Sequence, residues 1–243
     1  LQIGVNLAND YFDFVKGVDT HERLGPVRIT QSGLVSPAGV KAAMIMTFML
    51  ALFMGIYLIG KGGWPVVVIG IASILAATGY SGGPYPLASH GLGDLFVFIF
   101  FGIVAVCGTY YVQTLQLTRM VMIISATVGL PITAIIVINN LRDIETDQKA
   151  GKNTLAVILG EKGSRLEYTV LWAGAYAVLP AALIAGWASK WILLPFLCLP
   201  WVISLTWAVW KSNISSGLNM MLAKTARLSF IYNLLLSLCF VLA

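Results

Sequence analysis

The chain has 243 residues, 58% of them hydrophobic and 10% charged, with a net charge of +5 and a mean hydropathy of +0.87. Soluble domains carry roughly 25% charged residues, so this composition cannot furnish a water-exposed surface. The expected class is all-α, a polytopic bundle of transmembrane helices in a lipid bilayer. The positive charge calls for no nucleic acid, because basic loops beside membrane helices follow from topology and anionic lipid.

The chain opens at Leu1 inside an apolar stretch that runs to Leu7, with no basic region or small-residue cleavage site ahead of it. That is not a signal peptide. It reads as the tail, to about Asp13, of a helix that begins upstream. The expectation is one transmembrane domain over 1–243, truncated at its N-terminus. A span needs about 20 mostly apolar residues, and complete helices are predicted at 40–59, 64–79, 95–111, 120–139, 168–187, 191–210 and 228–242. The bundle is thus seven full helices and part of an eighth. Cys107, Cys198 and Cys239 fall in apolar runs without metal spacing and read as small buried side chains.

The connections are of two kinds. Short links sit near 60–63, 113–118 and 188–190, whereas 13–41, 81–94, 141–167 and 211–227 are long and polar. Alternating parity puts the four long segments on one membrane face. Twelve of the 15 basic residues lie there, and only Lys61, Arg119 and Lys190 lie opposite. By the positive-inside rule the long-loop face is cytoplasmic. All ten acidic residues fall on that face or at its helix ends, so any chemistry is one-sided.

Two acidic clusters mark that face. The first runs Asn6, Asn9, Asp10, Asp13, Lys16 and Asp19; the second Asn139, Asn140, Arg142, Asp143, Glu145, Asp147 and Lys149. Asn9 and Asp13, like Asn139, Asp143 and Asp147, are spaced in steps of four and share a helix face. Stacked carboxylates repel, so such stripes beside a membrane imply a compensating cation. Magnesium suits them, since it takes hard oxygen ligands and is usually shared with substrate phosphates. Arg28, Arg142, Lys149 and Lys152 are near enough in sequence to hold remaining phosphate oxygens. An ion-coupled transporter is the alternative from another class, since intramembrane Asn and Asp line ion paths. These clusters, however, sit at helix ends rather than mid-span.

At these residues the chain resembles the UbiA superfamily of membrane prenyltransferases. The resemblance rests on Asn9-Asp-x-x-Asp13 with Asp19, and on Asp143-x-x-x-Asp147 four helices later. NLANDYFDFVKGVD at 6–19, GPVRITQSGLVS at 25–36, GLGDL at 91–95, NNLRDIETDQKAGKNTLAVILG at 139–160 and the 218–233 region are similar to its menaquinone-pathway branch. The resemblance covers the chain nearly end to end. It implies a nine-helix fold around a central cavity, of which this chain supplies the end of the second helix through the ninth. Two departures stand out: five residues lie between Asp13 and Asp19 where many 4-hydroxybenzoate members have three, and the 80–91 loop has no basic residue besides His90.

The resemblance further implies transfer of a polyprenyl chain from polyprenyl diphosphate to 1,4-dihydroxy-2-naphthoate, with loss of carbon dioxide. Other aromatic acceptors, of the 4-hydroxybenzoate or homogentisate type, remain the alternative. Magnesium would be held by Asn9, Asp13, Asp143 and Asp147, with Asp19 a more distant partner. Arg28, Lys149 and Lys152 would meet phosphate charge. Asp94 would deprotonate or orient the acceptor, or else is a charge favoured at a helix N-terminus. Arg142 would bind the acceptor carboxylate, or else offsets Asp143 and Asp147. Tyr80 and Tyr85 are cavity residues or interfacial tyrosines. The implied location is the bacterial inner membrane, with the site facing the cytoplasm.

Overall fold

The computed structural model describes residues 1–17, 28–214 and 217–242, and these form nine helices joined by turns. They are α1 (Gln2–Val15), α2 (Pro37–Gly62), α3 (Trp64–Gly79), α4 (Gly93–Thr114), α5 (Arg119–Arg142), α6 (Ile144–Lys149), α7 (Leu155–Ile184), α8 (Lys190–Lys211) and α9 (Gly217–Val241). Six of them, α2, α4, α5, α7, α8 and α9, are long and apolar enough to cross a membrane, and α3 is a shorter apolar helix. All seven predicted helices are present, six of them as candidate spans. Large apolar side chains such as Met46, Phe53, Ile56 and Phe230 are exposed on the outer faces, as lipid contact requires.

Local chemistry explains the boundaries. The side chains of Ser36, Thr118 and Thr154 accept hydrogen bonds from the backbone N–H of Gly39, Val121 and Val157, capping α2, α5 and α7. Between α2 and α3 a single residue suffices to reverse the chain. Gly63 takes φ 69°, which only glycine adopts freely, and Pro65 then starts α3.

Hydropathy predicted α7 and α9 too short. They begin at Leu155 and Gly217, so the segments 141–167 and 211–227 are largely helical rather than polar loops. Their second and third turns carry Glu161, Lys162, Arg165 and Lys224. A hydropathy window detects only the part of a helix that lies in hydrocarbon, not its polar extension beyond. Gly160, at φ 69°, breaks α7 after its first turn.

Packing divides the bundle into two unequal halves. α5, α7, α8 and α9 enclose the main core around Trp172, Tyr168, Tyr176, Tyr232 and Ile138. Its buried tyrosines find partners: Tyr232 donates to Ala175 O (2.8 Å) and Tyr176 to Pro195 O (3.0 Å). A smaller core of Ala8, Met44, Phe48 and Ala77 joins α1, α2 and α3. Between the halves, α4 lies close against α5. A Cβ on Gly102 would fall 2.7 Å from the Gly129 Cα, the small-residue contact that lets membrane helices approach. α4 widens there into a π-helical stretch, Phe98–Val104.

The long connections meet at one end of the bundle. Lys16 Nζ donates to Ser81 O (2.7 Å), Asn153 N to Ser89 O (3.0 Å), and Arg142 Nη1 to Asn219 Oδ1 (2.8 Å). Each bond joins two different polar segments, so the parity argument predicted the gathering correctly.

Candidate active site

The two acidic clusters converge at this end. Asp13, 7% exposed on the last turn of α1, stands 3.3 Å from Lys152 Nζ and 3.5 Å from Arg28 Nη2. Lys152 follows the second cluster, so this ion pair closes one cluster onto the other. Asn9, one turn earlier on α1, accepts a 2.6 Å hydrogen bond at Oδ1 from Ser81 Oγ. Its carbonyl oxygen keeps a second lone pair.

Neighbouring acids have different roles. Asp10 is 5% exposed, and its two carboxylate oxygens accept from the backbone N–H groups of Ile29 (3.1 Å) and Thr30 (3.2 Å). It therefore anchors the residues beside Arg28 rather than facing the cluster. Asp19 lies outside the described residues.

In the second cluster Arg142 is 1% exposed. Nε and Nη2 fork onto Asp143 (2.7 and 2.5 Å), Nη2 also reaches Asn139 Oδ1 (2.9 Å), and Nη1 reaches Asn219 Oδ1. Four of its five N–H donors are thus engaged within the protein, two of them on Asp143, a geometry in keeping with a role in offsetting Asp143. The expected Asn139–Asp143–Asp147 stripe is interrupted. Asp143 has φ −94° and ψ 7° and forms the joint between α5 and α6, although the Asp147 N–H still bonds to Asp143 O at 2.8 Å. Lys149 is exposed at the end of α6.

Tyr80, directly after α3, lies between the clusters. Burial pushes its phenol well above the usual value, and the carboxylates of Asp94, Asp13 and Asp147 push the same way. Its hydroxyl therefore stays protonated within reach of all three acids. Burial lowers the Lys16 ammonium, with Asp13 opposing and Lys152 reinforcing the shift. Over the site, His90 stacks on Tyr85 at 3.5 Å and bridges to Asn153, tying the 81–92 loop to the segment after α6.

A cavity of about 540 Å³ opens beside these residues. Asn6, Asn9 and Tyr80 line its polar end; Phe96, Phe100, Gly108, Tyr111 and Val112 line it along α4. Phe96 and Val112 are sixteen residues apart, about 24 Å at 1.5 Å per residue. The cavity thus runs from the charged end deep into the hydrocarbon zone. At the far end Tyr111 OH donates to Gly62 O (3.2 Å).

Asn9, Asp13, Asp143 and Asp147 offer the hard oxygens that a divalent cation such as magnesium takes, although among the described residues no three acidic, histidine or cysteine side chains lie close enough to hold a metal ion by themselves.

Sequence reasoning gave no role to Ser81, Asn140 and Asn219, which hold Asn9, Asp94 and Arg142 respectively. Asn140 alone carried a signal, as half of the Asn139–Asn140 pair at a span end.

The UbiA prenyltransferase family matches residues 1–239. A 1,4-dihydroxy-2-naphthoate octaprenyltransferase from Haemophilus influenzae is 38% identical, over 98% of this chain and 79% of that protein. One of the same name from Escherichia coli is 35% identical, over 97% and 78%. A solved UbiA homologue from Aeropyrum pernix K1 superposes with a TM-score of 0.67 at 19% identity, covering 95% of this chain and 86% of that one. This last likeness speaks for the fold. With a family match across nearly its whole length, a charged end formed by two Asn/Asp clusters and an apolar cavity beside it, the chain belongs to the UbiA family of prenyltransferases and is a multi-pass membrane protein.

Proposed function

We propose that this chain transfers a polyprenyl group from polyprenyl diphosphate to a ring carbon of 1,4-dihydroxy-2-naphthoate, releasing diphosphate and carbon dioxide and giving demethylmenaquinol, the two-electron-reduced form of demethylmenaquinone. The observation that carries the reading is the junction at Asn9 and Tyr80, where a cation-bearing polar site meets a long apolar cavity. A prenyl diphosphate has that shape and polarity, a highly charged head on an apolar tail. The naphthoate acceptor is supported by relatives 30–38% identical that carry the octaprenyltransferase name.

Asn9, Asp13, Asp143 and Asp147 would hold magnesium, which when bound neutralises the diphosphate and makes it a better leaving group. The chain's own residues do the rest. Lys152 and Arg28, drawn to Asp13 at 3.3 and 3.5 Å, stand where incoming phosphate oxygens take them as partners. Lys149, and Asp19 from the first motif, belong to the same head-group region by sequence. Arg142 fixes the Asp143 carboxylate so that its direction does not depend on substrate. The aromatic and aliphatic cavity wall, Phe96, Phe100 and Val104 among it, keeps water from the allylic cation until the acceptor ring attacks. The basic, long-loop face is cytoplasmic in a bacterial inner membrane.

The test is product formation by membranes carrying the complete protein, supplied with a polyprenyl diphosphate and either naphthoate or 4-hydroxybenzoate. Prenylated, decarboxylated naphthoate is expected. Turnover of 4-hydroxybenzoate alone would overturn the acceptor assignment.

A further inference from the structure

Asp94, the second residue of α4, is 3% exposed. Asn140 Nδ2 donates to its Oδ2 at 3.4 Å, the carboxylate lies by its own backbone N–H, and Oδ1 has no hydrogen-bond partner. A helix N-terminus accounts for a negative charge at this position, but not for burying a carboxylate oxygen with nothing to accept from. Leaving such an acceptor empty costs about 1–3 kcal/mol, more when charged, so the arrangement is best explained by a donor that arrives with a ligand.

The surroundings say which ligand. The Tyr80 hydroxyl stands against Gly93, where a Cβ would lie 3.0 Å from it, and Tyr80 lines the cavity's polar end. Asp94 is the foremost charge acting on Tyr80, ahead of Asp13 and Asp147. Asp94 therefore lies beside Tyr80, behind the residues that line the cavity rather than among them. Asn140 holds it from α5, and Glu167 of α7 is the other acidic group in electrostatic reach. Among the described residues no lysine or arginine forms an ion pair with it. A second anion is excluded here by repulsion. What fits is a neutral hydroxyl that can give up its proton.

Resting on the reaction proposed above, we propose that Asp94 is the catalytic residue on the acceptor side, accepting the proton of a ring hydroxyl while Asn140 fixes its carboxylate. The O–H bond breaks and the proton passes to Asp94 Oδ1, leaving its electron pair to enrich the ring. The allylic C–O bond breaks with its electrons leaving on diphosphate, and the ring carbon that bears the carboxylate then bonds to the allylic cation. The ring carboxylate departs as carbon dioxide, its bonding electrons restoring aromaticity, and the proton on Asp94 returns to the phenolate oxygen. The geometry also orients the acceptor: its hydroxyl points to Asp94, and its own carboxylate points away from Asp94 and Glu167.

The experiment uses the complete protein in membranes, with Asp94→Asn, the nearly isosteric neutral variant. Rates are measured against pH with the natural acceptor and with a naphthol analogue acidic enough to be ionised already. General-base catalysis contributes about 10²–10⁴-fold. Asp94→Asn is accordingly expected to lower kcat by about 100-fold or more, to leave KM for the prenyl diphosphate within about twofold, and to abolish the acid limb of the pH profile. The ionised acceptor is expected to recover at least about tenfold of the loss, since it needs no base. Asn140→Leu, which frees the carboxylate to rotate, is expected to lower kcat with a smaller effect on either KM. Retention of kcat and of the acid limb in Asp94→Asn would overturn the proposal. So would an equal loss with both acceptors, the mark of a merely structural role. Absence of naphthoate turnover by the wild-type protein would instead overturn the reaction on which the proposal rests.

Discussion

Lys152 Nζ stands 3.3 Å from Asp13 Oδ1 and so ties the end of α1 to the segment that follows the second acidic cluster. This pair holds together charges that would otherwise repel within each cluster. Its lysine is also the cation best placed to pass from a carboxylate to a phosphate. Hydrogen bonds to charged groups are worth about 1.5–3 kcal/mol, so Lys152→Ala is expected to raise KM for the prenyl diphosphate by about tenfold or more. Steady-state kinetics with the donor varied at saturating acceptor would check this.

Asp10 and Asp13 are three residues apart yet predict opposite phenotypes. Asp10 accepts from two backbone N–H groups near Arg28, and Asp10→Ala is expected to cost about 2 kcal/mol of stability while leaving residual activity. Asp13→Ala is expected to abolish turnover with little loss of stability, because the ion-pair partners of Asp13 among the described residues are the side-chain cations Arg28 and Lys152. Thermal unfolding in detergent, run beside the activity assay, separates the two.

Arg142 is enclosed among Asn139, Asp143 and Asn219. Breaking a buried ion pair from one side leaves the partner charge uncompensated, so Arg142→Leu is expected to destabilise the protein by about 3 kcal/mol. Arg142→Lys keeps the charge but loses the fork, and is expected to be partly stable and poorly active. A stability measurement on both variants is the check.

Gly108 lines the cavity, and a Cβ there meets nothing within 4 Å. Gly108→Phe would therefore fill the tail channel rather than the core. Overfilling a packed space costs about 1–3 kcal/mol, so kcat/KM for a long-chain donor is expected to fall by about tenfold, with a five-carbon donor spared. Competition between short and long diphosphates in one reaction reads this directly.

Much of this fold was legible because the bilayer imposes a coarse rule: every span must be apolar for about 20 residues. The seven predicted helices are all present, and charge parity correctly grouped the long connections. The errors fell where that rule is silent. The polar N-terminal parts of α7 and α9, with Arg165 buried among the Val209, Trp210 and Ser212 carbonyls and beside Glu161, look like loop to a hydropathy window. The site was legible in its residue types but not in its pairings. Asn9 and Asp13 share a helix face by spacing alone, whereas nothing local says that Ser81 will reach Asn9 or that Asn219 will reach Arg142. The joint at Asp143 was hidden for the same reason, since a regular i, i+4 pattern carries no mark of a break.

The central claim is that the two clusters act together on a prenyl diphosphate destined for a naphthoate ring. Its most direct test is carbon dioxide release from carboxyl-labelled 1,4-dihydroxy-2-naphthoate by membranes carrying the complete protein, with polyprenyl diphosphate, before and after chelation of divalent metal. The account predicts label release that requires the donor, stops on chelation, returns with magnesium and is absent in Asp13→Ala with Asp143→Ala. Label release that persists in that double variant, or that proceeds without the prenyl donor, would contradict it.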